Sequence, residues 1–240
     1  MYYIKFKKSD IYNQSFKKQL LILWYLYSKE SRDGTINFSI KEIITDLKFS
    51  YSTCPNGTGI IFKDSIQDLI NKKYIYTYDD VNDIKPNTIL TFFFNKKNNI
   101  YECSNVSTDY VIFNNLEMNK IFDYYETHKV KTTVDNIFYI YILIKSFMNM
   151  TDQVPSFCFP SIKKLEQFSG FNHTTILKMI NILQDMKLLY VYDLGNYRTK
   201  KGTIQKQSLI YTLEPLDKQI LKNNIASLKK NYLYWIEDDE

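Results

Sequence analysis

A pattern of predicted secondary structure occurs twice in the 240-residue chain and constrains the fold more than any other feature. In each copy a long amphipathic helix, over residues 14–31 or 134–150, precedes a short apolar strand, a Ser-capped helix and a second amphipathic helix. Two β-rich segments follow, at residues 74–78 and 89–94 in the first copy, and are typical of a hairpin. The pattern predicts an α+β, mainly helical protein of two similar domains.

The two copies also align residue by residue. Ser39 aligns with Ser161 at a helix start, and Glu42 completes a capping box with Ser39. The aligned apolar positions are Ile43 with Leu165, Phe49 with Phe171, Ile66 with Ile180, Leu69 with Leu183, and Ile75 with Leu189. The first copy contains about eight additional residues, in a turn at residues 50–59 whose proline and glycines interrupt the helices.

A helix, a tight turn, a second helix and two strands joined by a loop are the elements of a winged helix. The sequence therefore predicts two tandem winged helix-turn-helix domains. The expected divisions are an N-terminal domain at residues 1–95, a connecting segment at 96–133 with a helix over 113–125, a C-terminal domain at 134–214, and residues 215–240. This last segment is expected to form an amphipathic helix over residues 216–235 and an acidic tail.

The second copy has polar and basic residues at the positions where a helix-turn-helix contacts DNA. The second helix of a helix-turn-helix enters the major groove with its N-terminal residues near base edges. Here that helix begins at Asn172, which can cap it. If Ile176, Ile180 and Leu183 face the core, the opposite face presents short polar and basic groups that suit phosphates and bases.

The expected loop between residues 192 and 208 adds positive charge. Residues 161–207 contain eight Lys or Arg and three Asp or Glu, a net charge of +5. A Lys-rich hairpin loop alone is typical of a solvated turn, but this one follows a helix pair and favours phosphate binding. His173 suits either a phosphate contact or a plain helix start. The expected DNA contacts are Lys163, Asn172, His173, Thr174, Thr175, Lys178, Asn181, Tyr197, Arg198, Lys200, Lys201 and Lys206.

The first copy has the opposite charge at the equivalent loop. Residues 79–85 include three aspartates, which would repel phosphate. We expect this domain to serve dimerisation or partner binding. The alternative is an altered DNA contact by the loop at residues 50–58. The cations that support this alternative are Lys5, Lys7, Lys8, Lys17, Lys18 and Lys63.

Signatures of catalysis and of cofactor binding were not found. Gly57-Thr58-Gly59 lacks the spacing of a phosphate-binding loop, and no G-x-S-x-G motif occurs. The two histidines, His128 and His173, have no nearby cysteine pair that would complete a zinc site. The chain is expected to be no enzyme and to need no cofactor or metal.

The sequence also predicts a location in the cell. Lys145 interrupts the longest apolar segment, so no membrane span is expected. The N-terminal residues lack the apolar centre of a secretory signal. Three widely spaced cysteines, Cys54, Cys103 and Cys158, fit free thiols in a reducing compartment. We expect a cytoplasmic protein.

The segment FPSIKKLEQFSGFNHTTILKMINILQDMKLLYVY resembles the winged helix of replication initiators and replisome-organising proteins of low-GC Gram-positive plasmids and phages. The matching residues are Pro160, Ser161, Leu165, Gly170, Thr174 and Thr175. The resemblance covers about fifty residues of the second copy well and the first copy loosely. It implies sequence-specific binding of double-stranded DNA at a replication origin by the second domain. For the first domain it implies homodimer contacts or contacts with a helicase loader or another replisome protein.

Two other functions fit the same residues. Many transcriptional regulators have this pattern, so a regulator with the same DNA contacts is one alternative. A protein-interaction scaffold that does not bind DNA is the other.

Overall fold

A computed structural model describes residues 3–81, 85–95, 110–148, 156–228 and 232–235. The fold is α+β, with helices and small antiparallel sheets. The chain divides into two compact units, Met1–Ile142 and Leu143–Glu240. None of the helices in the described ranges is long and apolar enough to cross a membrane.

The first unit combines helices with two sheets. Its helices are α1 (Lys8–Ile11), α2 (Lys17–Lys29), α3 (Ile40–Asp46), α4 (Thr58–Asn71), α5 (Asn115–Thr127) and most of α6 (Val134–Ser146), with a 3-10 turn at Gln14–Phe16. Its strands are β1 (Tyr3–Lys7), β2 (Thr35–Phe38), β3 (Ile75–Thr77), β4 (Leu90–Phe94) and β5 (Tyr110–Asn114). One sheet has the order β2-β4-β3, and β1 pairs with β5 in the other.

The sheet of β1 and β5 was not expected from the sequence. Phe6 on β1 and Phe113 on β5 both pack against Phe138 of α6, with ring centroids 5.9 and 4.9 Å away. The prediction of a helix over residues 113–125 is therefore wrong at its start, because α5 begins at Asn115. The Asn114 side chain accepts a hydrogen bond from the Glu117 amide, and Glu117 accepts one from the Asn114 amide. This capping box places the boundary between strand and helix.

The second unit repeats the central arrangement of the first. Its elements are the end of α6, β6 (Phe157–Cys158), α7 (Ile162–Ser169), α8 (His173–Asp185), β7 (Tyr190–Tyr192), β8 (Asn196–Thr199), β9 (Ile204–Lys206), β10 (Ile210–Thr212), α9 (Lys218–Leu228) and β11 (Tyr232–Trp235). Its two sheets have the orders β6-β10-β7 and β11-β8-β9.

The two units share their strand order. In β2-β4-β3 and in β6-β10-β7 the last strand along the chain lies between the other two. Four of the five aligned apolar pairs are buried in both units, and the fifth, Phe49 with Phe171, is half-buried in both. The four buried pairs are Ile43 and Leu165, Ile66 and Ile180, Leu69 and Leu183, and Ile75 and Leu189. The extra residues of the first copy separate α3 from α4, whereas three residues separate α7 from α8.

The expected helix over residues 216–235 ends earlier than predicted. α9 stops at Leu228, and Tyr232–Trp235 form β11, which pairs with β8. Aromatic residues favour strands. The edge of β8 that does not pair with β9 has backbone amide and carbonyl groups that a strand at residues 232–235 can pair with and a longer helix could not. The acidic tail at residues 236–240 lies outside the described residues.

Candidate nucleic-acid interface

Helix α8 begins with a side-chain cap and has one buried face. The Asn172 side chain accepts a hydrogen bond of 2.9 Å from the Thr175 amide. Ile176, Ile180 and Leu183 are buried, as the sequence predicted. The opposite face is polar: Asn172, His173, Thr174, Lys178 and Asn181 are exposed, and Thr175 is half-buried. The structure thus places six of the predicted contacts on α8 and its N-cap, five of them exposed.

Helix α7 precedes α8 and meets it in a tight turn. The Ser161 hydroxyl accepts a hydrogen bond of 3.2 Å from the Lys164 amide at the helix start. Gly170 ends the helix with φ of 71°, a left-handed conformation that favours glycine. Lys163, the predicted contact on this helix, is exposed.

The residues expected to form a basic loop instead form a hairpin of β8 and β9, which we call the basic hairpin (residues 196–206). At its tip the Thr199 amide donates to the Thr203 carbonyl and the Gly202 amide to the Thr199 carbonyl, both at 2.9 Å. Lys200 and Lys201 lie in this turn and are exposed. The hairpin therefore holds its two tip cations on an ordered support.

Two predicted contacts in the hairpin are not exposed. Tyr197 is 8% exposed; its ring packs against Trp235 at 5.8 Å and its hydroxyl donates to Gln205 Oε1 at 2.8 Å. Arg198 is half-buried. The interpretation of Tyr197 as a surface contact is corrected, because β11 covers its side of the hairpin.

Lys206 is exposed and has an acidic neighbour. Its Nζ lies 3.1 Å from Asp193 Oδ2. The pKa of Asp193 is lowered, first by the hydrogen bond from the Gly195 amide and then by the Lys206 ammonium. The Lys206 side chain is 69% exposed and that of Asp193 is 48% exposed, and such surface ion pairs are weak, so a phosphate can replace the carboxylate at small cost.

A cleft of about 430 Å³ joins α7, α8 and the end of the hairpin. His173 of α8 and Lys206 of β9 both line it, together with Ser161 at the start of α7. Helix N-termini carry partial positive charge and suit anions. Gln207 and Ser208 also line the cleft, and the sequence did not indicate them, because three separate segments form this surface.

The first unit differs at the equivalent places. Asp79 follows β3, and its carboxylate accepts a hydrogen bond of 2.8 Å from the Thr91 amide, which fixes the acidic group at the strand end. Of the predicted acidic loop, residues 82–84 lie outside the described residues. Lys18 forms a 3.0 Å ion pair with Asp135 and lies 4.4 Å from the centroid of the Phe49 ring, so it serves the packing of this unit.

The sequence matches no model of a known protein family, and no curated protein is significantly similar to it.

Proposed function

We propose that the two units are winged-helix domains and that the second unit binds double-stranded DNA in a sequence-specific manner. The proposed role is origin recognition in the replication of a plasmid or phage. The order of strand, helix, helix and two strands of the same sheet supports the fold assignment, since it is the order that a winged helix requires. It is β2-α3-α4-β3-β4 in the first unit and β6-α7-α8-β7-β10 in the second, where β8 and β9 lie between β7 and β10 along the chain. The resemblance of residues 159–192 to replication initiators supports the role.

One observation carries the DNA proposal. His173 at the start of α8 and Lys206 at the end of β9 line the same cleft, so the polar face of α8 begins beside the basic hairpin. A helix in the major groove with cations beside it can read bases and neutralise phosphates at once. Tyr197 is omitted from the proposed contacts because it is buried.

The electrostatic contacts are tested by a double change at the hairpin tip. We expect Lys200→Ala with Lys201→Ala to weaken binding to every duplex. The slope of log K against log salt concentration is negative, and each lost phosphate contact reduces its magnitude by about 0.9, so the pair reduces it by up to about 1.8. Fluorescence anisotropy with labelled duplexes at several salt concentrations measures the slope. The matched control is Lys41→Ala with Lys85→Ala, two exposed lysines of the first unit with the same total charge.

Changes on α8 test base recognition in the same assay. We expect Thr175→Ala and Lys178→Ala to alter the preference among duplex sequences, as well as the affinity. Binding that survives all four changes would show that α8 and the hairpin are not the DNA surface. Absence of salt-dependent binding to any duplex would favour a protein-interaction scaffold.

Origin recognition and promoter recognition use the same protein contacts. The DNA around the coding region distinguishes them: iterated repeats favour an initiator, and a single palindrome in a promoter favours a regulator. The first unit, with its acidic strand end, is assigned to protein contacts in this proposal, either a homodimer or a replisome partner.

A further inference from the structure

The outer face of the sheet β2-β4-β3 carries an exposed aromatic cluster in the first unit. The rings of Tyr76 and Phe93 stack at 5.2 Å, and Tyr78 lies 5.9 Å from Phe93. Tyr78 is 87% exposed, and Ile89, just before β4, is 69% exposed. We call Tyr76, Tyr78, Phe93 and Ile89 the aromatic face. Clusters of exposed large apolar side chains mark binding surfaces.

The repeat shows what covers this position in the second unit. With the alignment of the two copies, Tyr76 corresponds to Tyr190 and Tyr78 to Tyr192. Tyr192 is half-buried, and its hydroxyl accepts a hydrogen bond of 2.8 Å from the Leu216 amide, just before α9. The aligned tyrosine of the first unit has no such cover among the described residues.

The cover in the second unit is an amphipathic helix. Leu221 and Ile225, one turn apart on α9, pack in one buried cluster with Phe157 and Ile210 of the sheet. Phe157 and Tyr190 are both paired with Thr212. The helix-covered residue Phe157 therefore lies on the same face of the sheet as the aligned tyrosines Tyr190 and Tyr192. A sheet of this kind therefore accepts a helix with aliphatic residues at positions i and i+4.

The negative charge beside the aromatic face indicates that its partner carries positive charge. Asp79 and Asp80 are exposed directly after Tyr78. If two copies of the chain paired through this face, their acidic groups would repel each other. The α9 helix of a second copy could not cover the face either, because it already covers that copy's own second unit. A helix with lysine or arginine beside its aliphatic residues complements this rim, and cations also interact favourably with aromatic ring faces.

We propose that the aromatic face binds an amphipathic, basic helix of another protein. The helix presents aliphatic side chains one turn apart to Tyr76, Tyr78 and Phe93, and its cations lie beside Asp79 and Asp80. This inference concerns the first unit and does not depend on DNA binding by the second.

The test uses a labelled synthetic peptide of residues 216–228, the sequence that covers the equivalent face, with the full-length chain. We expect saturable binding in fluorescence anisotropy. Tyr76→Ala with Tyr78→Ala should weaken it by about tenfold or more, since aromatic anchors dominate such interfaces. Asp80→Lys should weaken it several-fold, and added salt should do the same. A peptide with Leu221→Asp and Ile225→Asp should not bind.

The matched control is Ile112→Ala, an apolar residue on β5 of the same unit that is 41% exposed. This variant should bind the peptide as the unchanged chain does. No binding, or equal affinity for the tyrosine variants and the unchanged chain, would overturn the proposal. So would sedimentation velocity in which the chain is a dimer that Tyr78→Ala dissociates, because a second copy would then occupy the face.

Discussion

At two positions in the first unit only glycine fits sterically, because a side chain would collide with the backbone of the same loop. A Cβ on Gly57 would lie 2.8 Å from the backbone oxygens of Ser52 and Cys54, and one on Gly59 would lie 2.9 Å from the Ser52 oxygen. These neighbours are backbone atoms, which cannot rotate away. The Thr58 hydroxyl holds the same loop, since it accepts from the Ser52 amide at 2.9 Å and donates to the Ser50 carbonyl at 2.6 Å.

We therefore expect Gly57→Ala and Gly59→Ala to lower the free energy of unfolding by about 1–3 kcal/mol each, the usual cost of forcing atoms into a packed site. Urea denaturation followed by circular dichroism measures it. The control is Thr53→Ala, an exposed residue of the same loop, which should change stability by less than about 0.5 kcal/mol. Full stability of Gly57→Ala would mean that the loop does not pack this closely.

The two described cysteines differ in exposure. Cys158 is buried and its thiol donates to the Ile144 carbonyl at 3.4 Å, while Cys54 is exposed. Burial raises the pKa of Cys158, so its thiol stays protonated and cannot attack. We expect an alkylating reagent at pH 8 to label Cys54 in the folded protein and Cys158 only in denaturant, as located by peptide mass spectrometry. Rapid native labelling of Cys158 would contradict its burial.

Strand β11 joins three elements of the second unit. It pairs with β8 along one edge of the basic hairpin. Trp235 packs on Tyr197, and its indole Nε1 donates to the Lys222 carbonyl of α9 at 3.3 Å. One side chain thus connects the hairpin, the last strand and the last helix.

We expect Trp235→Ala to lower the free energy of unfolding by about 2 kcal/mol, less than for a fully buried aromatic because Trp235 is half-buried. DNA affinity should fall too, since the hairpin loses part of its support. Urea titration by circular dichroism and anisotropy with a duplex check the two effects. Ile220→Ala, an exposed residue of α9, is the control and should alter neither. Unchanged stability of Trp235→Ala would leave the hairpin independent of β11.

Elements with local signals could be predicted from the sequence, and elements with distant partners could not. The capping box of Ser39 and Glu42 and the buried stripe of α8 follow from residues a few positions apart. Strand β1 pairs with residues 110–114, and no nearby residue indicates that partner. The helix predicted over 216–235 arose because residues 228 and 232 have helical spacing, although pairing with β8 decides the conformation.

The same distinction holds for the candidate site of the whole molecule. The exposed residues of α8 follow from its buried face, so His173, Thr174, Lys178 and Asn181 could be predicted together. Tyr197 could not, because the strand that covers it lies beyond α9 in the chain. The cleft with Gln207 and Ser208 also needs three segments at once.

The charge of the molecule is concentrated in one segment. Residues 161–207 carry a net charge of +5, equal to that of the entire chain, so the remaining residues balance to zero. Because a localised field steers an oppositely charged partner, it would direct the proposed DNA partner toward this segment.

The pairing of β8 with β11 also sets an order for folding. A hairpin that forms before residues 232–235 pair with it has unpaired amide and carbonyl groups along one edge of β8. In the same way, β1 has no partner strand until residues 110–114 pair with it. A chain in which the hairpin has formed but β11 has not yet paired therefore presents an open strand edge to other chains, and the risk of aggregation is greatest in that state.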